Sequence, residues 1–179
     1  MTPTTARFPA PLATLFALST ALLAPPPAAA DGAIEEVAVT AGVFNVLNVE
    51  RSAEAGFELR LRSFWESSDR SSLGAGWVLR PAAGAMATSE GALYGYAGFR
   101  LEVPLGARWL LVPQSAAGYY ERGDEKELGG SVQFRSGLEL AYAPSRRHRV
   151  GAVFYHLSNA GLERPNPGSE SLVLYWSWR

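Results

Sequence analysis

An all-β fold, an eight-stranded antiparallel transmembrane barrel, is what this sequence predicts, and three observations predict it. The chain opens with an apolar leader of the kind that marks proteins for export. After the leader come strand-length segments in which apolar and polar residues alternate, separated by turn residues. No later apolar stretch is long enough for a membrane helix, yet aromatics are frequent, with 5 Trp, 7 Tyr and 8 Phe. Inside lipid every backbone group must find an internal partner, and without helices only a closed sheet provides one.

The leader comes first. Arg7 is the only charged side chain before Asp31, and Leu12 to Leu23 is an apolar run of about a dozen residues. That run is too short to cross a bilayer as a helix. Ala28-Ala29-Ala30 supplies small residues for cleavage, and Asp31 is the expected mature start. Pro25-Pro26-Pro27 argues against a buried N-terminal helix. Residues 1–30 are therefore expected to be a signal peptide, and residues 31–179 a single domain with no linker or low-complexity break. Losing Arg7 with the leader takes 16 basic residues to 15 against 17 acidic, a net charge of −2. That balance lacks the basic footprint of nucleic-acid binding, so no nucleic-acid partner is expected. With no cysteine, disulfides and thiolate zinc sites are excluded.

The expected strands follow in order. The first, 35–47, stops at Asn48-Val49-Glu50-Arg51. The second, 54–65, sets Phe57, Leu59 and Leu61 on one side and Glu58, Arg60 and Arg62 on the other, and gives way to a turn from Glu66 to Ser72. The third, 73–86, ends at Ala87 to Glu90, and the fourth, 91–104, at Pro104 to Ala107. The fifth, 108–121, leads into the charged stretch Arg122 to Gly129. The sixth, 130–143, repeats the alternation: Val132, Phe134, Leu138, Leu140 and Tyr142 against Gln133, Arg135 and Glu139. Ala143 to Arg147 turns the chain into the seventh, 148–159, and Gly161 to Gly168 turns it into the eighth, 169–178. Eight strands of about ten residues with short links make the smallest outer-membrane barrel.

Alternation alone does not say which face is inside. A soluble, lipocalin-like barrel needs apolar side chains inside, whereas a small membrane barrel pairs its charges within and turns apolar residues to lipid. Export and the aromatic content favour the second. The pairs Phe64-Trp65 and Tyr119-Tyr120, together with Trp176 and Trp178, then read as interfacial belts.

The last hairpin carries the chemistry. His156 and Ser158 share one face with Val150, Ala152 and Phe154 on the seventh strand, and Glu170 opens the eighth on the face of Leu172, Leu174, Trp176 and Trp178. A hydroxyl, an imidazole and a carboxylate placed to hydrogen-bond in series are what nucleophilic acyl transfer requires. With lipid outside, the three point outward, which suits a lipid substrate better than a water-borne one. If both termini face the periplasm, the link from Asn159 to Ser169 lies on the external side, as does Glu121 to Glu127, while Arg146-Arg147-His148-Arg149 lies on the periplasmic side. His148 has no partner in view and reads as part of a solvated turn.

His156-Leu157-Ser158-Asn159-Ala160-Gly161, followed by Pro165-Asn166-Pro167-Gly168 and Glu170, resembles the signature of the outer-membrane lipid A 3-O-deacylases, the PagL family. The separations match along with the letters: serine two beyond the histidine, glutamate fourteen beyond it. The resemblance implies a serine esterase that removes the 3-O-linked hydroxyacyl chain of lipid A in lipopolysaccharide, using no cofactor and no metal. By position it makes Ser158 the nucleophile, His156 the general base and then acid, and Glu170 the group that orients the imidazole. Asn159, Gly161 and Asn166 become oxyanion-hole candidates. One departure stands out: such barrels usually end on an aromatic residue, and here Arg179 follows Trp178.

Taken singly these residues have ordinary readings. His156 could be an interfacial polar residue, and Asn159, Gly161, Asn166 and Gly168 are common in turns. Two other classes stay open from the residues alone: a catalytically silent barrel with a structural or adhesion role, and an exported soluble barrel that binds an apolar ligand. The apolar outer wall also permits a homodimer.

Overall fold

The structure, a computed structural model, describes residues 32–67 and 76–179. The expected signal peptide at 1–30, the mature start at Asp31, the first residues of the expected strand 73–86 and most of the turn at 66–72 lie outside the described residues.

The strands are β1 (Ile34–Phe44), β2 (Ser52–Leu61), β3 (Trp65–Glu66), β4 (Val78–Thr88), β5 (Leu93–Pro104), β6 (Trp109–Glu121), β7 (Val132–Tyr142), β8 (His148–Ser158) and β9 (Ser169–Trp178). Each ladder is antiparallel, and β1 pairs with both β2 and β9, so the sheet closes. β2 and the two-residue β3 both pair with β4, at Arg60↔Ala82 and Trp65↔Leu79. They are two pieces of one stave, and the barrel has eight staves, as the sequence predicts.

β1 stops three residues short of the expected end because Asn45 takes a positive φ of 56°. Asparagine tolerates this left-handed conformation. Its side chain then donates to the Glu50 carbonyl at 2.6 Å, and its own carbonyl accepts from the Asn48 N–H at 3.0 Å, which folds residues 45–51 into a turn.

The lumen is charged and the outer wall is apolar. Arg60, Arg80, Arg100, Arg135 and Arg149 are buried together with Glu36, Glu54, Glu58, Glu102 and Glu139, while Phe57, Phe99, Leu138, Leu140, Phe154, Leu172 and Leu174 are exposed. Such charges are tolerated only because they meet one another. Arg100 donates to Glu58 and to Glu139 at 2.7 Å each, Arg149 binds both oxygens of Glu102 at 2.8 and 3.1 Å, and Arg60 reaches Glu36, Glu58 and Glu139. The Tyr175 hydroxyl donates to Glu139 at 2.6 Å, and the Arg135 guanidinium stacks over the Tyr155 ring at 4.0 Å. This is the face assignment of a membrane barrel, the inverse of a soluble one.

Three details differ from the sequence reading, at Arg62, His148 and Tyr120, the last of which is buried in the lumen against Phe44 and does not join Tyr119 in an outer belt. Arg62 lies beyond the end of β2 and is exposed, because the chain leaves the ladder before it could turn inward. His148 belongs to β8 and not to a turn: it accepts a hydrogen bond at Nδ1 from Trp176 Nε1 at 3.2 Å, and the alternation it begins carries Arg149 inward to Glu102. Arg179, the unusual last residue, follows the same alternation and donates to Glu36 at 2.8 Å.

The links at 45–51, 89–92, 122–131 and 159–168 gather at one end of the barrel. The other end holds the links at 105–108 and 143–147, the start of β1 and the finish of β9.

Candidate active site

The β8–β9 register places His156 directly opposite Glu170 and Leu157 opposite Ser169. Alternation then decides the faces: Tyr155, Leu157, Ser169 and Ser171 are buried in the lumen, while His156 and Glu170 stand on the outer wall. His156 Nδ1 lies 3.0 Å from Glu170 Oε1, with the imidazole 41% exposed and the carboxylate 24%. A carboxylate only accepts, so the contact assigns the proton to Nδ1 and leaves the Nε2 lone pair free to take one.

Ser158 occupies the next outward position of β8, opposite Phe134 of β7. Two residues along a strand cover roughly 7 Å, a span two converging side chains can close. The structure therefore joins His156 to Glu170 and sets Ser158 beside them on the same face. Among the described residues no hydrogen bond links Ser158 Oγ to the imidazole. Catalytic hydrogen bonds commonly tighten only when substrate is bound.

The link that follows is knotted by Asn159, which is 1% exposed. Its Nδ2 lies within 2.9–3.2 Å of the carbonyls of Leu128, Gly129, Glu163 and Pro165. Its Oδ1 accepts from the Gly161 N–H at 2.8 Å, and its own N–H donates to Asn166 Oδ1 at 3.1 Å. Ala160 and Gly161 have φ of 53° and 80°, and Leu162 N–H closes the turn on the Asn159 carbonyl at 3.0 Å. Two positive φ values in succession are what a primed turn needs.

Of the expected oxyanion-hole residues, then, Asn159 and Gly161 have these donors engaged within the loop. Asn166 keeps its Nδ2 without a protein partner among the described residues.

Two glycines complete the site that sequence reasoning took only as turn formers. A Cβ on Gly129, whose φ is +77°, would overlap the Pro165 carbonyl oxygen where the links 122–131 and 159–168 meet. Gly168, with φ +62°, lies against the Cε1–Nε2 edge of the His156 ring. Their positions in turns were readable, but what packs against them was not.

The family model for lipid A 3-O-deacylase (PagL) matches residues 51–179, from the approach to β2 through the end of β9. The chain belongs to this family. The resemblance read from the last hairpin is thereby borne out. A lipid A deacylase PagL of Bordetella bronchiseptica (strain ATCC BAA-588 / NCTC 13252 / RB50) is 31% identical over 55 residues, 31% of this chain and 31% of that protein. That match spans under a third of the curated relative's length. A solved structure, described as the crystal structure of the outer membrane enzyme PagL, superposes with a TM-score of 0.65 at 21% identity. It covers 81% of this chain and 99% of that one, a likeness of fold.

Proposed function

We propose that this chain is an outer-membrane serine esterase that hydrolyses the 3-O-linked primary hydroxyacyl ester of lipid A, exported by a signal peptide at residues 1–30. The observation that carries the reading is the Glu170–His156 hydrogen bond of 3.0 Å on the outer wall, with Ser158 next along the same face. A general base oriented by an acid on a lipid-facing surface has little to act on except a membrane ester. Membership of the lipid A 3-O-deacylase family supports that ester's identity, and the charged lumen and apolar wall support the membrane setting.

In this mechanism Ser158 Oγ attacks the ester carbonyl carbon as His156 Nε2 takes its proton, and negative charge develops on the carbonyl oxygen. Asn166 Nδ2 is the candidate donor left available to meet that charge, and removing one such donor typically costs about 2.7–4 kcal/mol in the barrier. The carbon–oxygen bond to the sugar breaks, and the departing oxygen takes the proton from Nε2. Water then attacks the acyl-serine by the same route, giving a free 3-hydroxy fatty acid and the restored hydroxyl. The site lies at the rim of the barrel, beside the 159–168 link, where water in the headgroup region can reach it.

The test is mass spectrometry of lipopolysaccharide from cells expressing the chain. Lipid A lighter by one 3-hydroxyacyl group supports the proposal, and unchanged lipid A from cells holding the folded barrel refutes it.

A further inference from the structure

Gly168 is buried at the end of the 159–168 link, one residue before β9, with φ at +62°. A Cβ built on it would overlap His156 Cε1, lie 3.1 Å from Nε2 and 3.2 Å from the Leu157 carbonyl oxygen. The first two atoms form the edge of the imidazole that runs from Cε1, next to the Nδ1 held by Glu170, to the second nitrogen. Backbone is thus packed beside the nitrogen that must exchange a proton, while a carboxylate holds the other nitrogen.

Such a ring has little freedom. Glu170 holds Nδ1, and main chain at Gly168 blocks movement of the adjoining Cε1–Nε2 edge toward it. Other glycines at this end serve different needs: Gly91, with φ +85°, has nothing within 4 Å of where its Cβ would be, so its conformation alone explains the residue.

We propose that Gly168 is a positioning residue for the deacylation reaction: its missing side chain seats the His156 ring against main chain while Glu170 holds Nδ1, and keeps the space beside Nε2 open for the Ser158 proton. The inference deepens the proposed function and rests on it for its kinetic consequence. The ring geometry it asserts can be tested without activity.

Three variants separate the seat from the backbone conformation. Gly168→Ala brings both a Cβ and the strain of a positive φ. Gly168→Asn brings the Cβ but tolerates the left-handed conformation. Gly91→Ala brings the strain alone. In the full chain folded in detergent micelles, both Gly168 variants should lower kcat about 100-fold, the scale of a small misplacement of reacting groups. KM should change less than about 3-fold, since the substrate's distant contacts are untouched. Gly91→Ala should match wild type.

A second readout is independent of turnover. The sequence has 2 histidines, so ¹⁵N-histidine labelling gives one signal set for His148 and one for His156. Wild type should show neutral His156 as the Nδ1-protonated tautomer, and the Gly168 variants a mixture, with His148 unchanged. Wild-type kcat in Gly168→Asn, or an unchanged His156 tautomer in either folded Gly168 variant, overturns the proposal. If the wild-type chain releases no fatty acid the function proposed above fails, while the tautomer comparison still decides the role of Gly168.

Discussion

His156 and Glu170 are direct partners across the β8–β9 ladder, and their side chains meet at 3.0 Å on the outer wall of the barrel. Adjacent strands hold opposed residues at fixed spacing, so the hydrogen bond is set by backbone pairing and does not depend on a mobile loop. In the proposed mechanism the acid needs only to keep the imidazole in one tautomer and one orientation.

Glu170→Gln tests that role. An amide can turn its NH₂ toward Nδ1 and favour the opposite tautomer, with the proton on Nε2. Fatty acid release should fall roughly 10³–10⁴-fold without vanishing, because Ser158 and the rest of the site remain. The check is the initial rate on purified lipopolysaccharide, with the heat-modifiable gel mobility of a folded barrel as control. A loss under tenfold would contradict the orienting role.

Asn159 ties the 122–131 and 159–168 links together. Asn159→Ala removes the amide from four carbonyls and frees the Gly161 N–H. Unmet buried groups of this kind cost about 1–3 kcal/mol each, part of which local opening relieves. Asn159→Asp should be worse, because it turns a carboxylate oxygen toward the same carbonyls. Limited proteolysis of residues 122–131 and 159–168 should rank the variants wild type, then Ala, then Asp in rising susceptibility, with deacylation rates falling in the same order.

The inverted barrel makes a paired prediction on neighbouring residues. Glu139 meets Arg60, Arg100 and Tyr175 in the lumen, whereas Leu140 faces outward. Glu139→Ala leaves two buried guanidinium groups short of a partner and should cost about 3–5 kcal/mol. Leu140→Ala, on the lipid-facing wall, loses only the transfer of three carbons into lipid and should cost less, about 2 kcal/mol. Urea unfolding in lipid vesicles measures both, and the reverse order would mean that the faces are misassigned.

Much of this arrangement was legible in the sequence because alternation along a strand is local. Phe57 and Glu58, or Leu138 and Glu139, declare opposite faces without knowledge of any neighbour, and the fourteen-residue interval from His156 to Glu170 suits partners across one hairpin. What was not legible depends on contacts between distant segments. Gly129 against the Pro165 carbonyl, Asn159 reaching Leu128, and His148 under Trp176 each join parts of the chain that no periodicity links. The break between β2 and β3 was hidden for a similar reason: residues 62–64 read as strand, but the Arg62 N–H bonds back to the Ala33 carbonyl at 2.7 Å as the chain leaves the ladder.

Ser158→Ala is the most direct test of the whole account, read as 3-hydroxy fatty acid released from purified lipopolysaccharide by wild type and variant folded in parallel. The account predicts release by wild type and none above background from a variant with the same heat-modifiable mobility. Release by Ser158→Ala at the wild-type rate would contradict it, because the hydroxyl beside His156 would then not be the nucleophile.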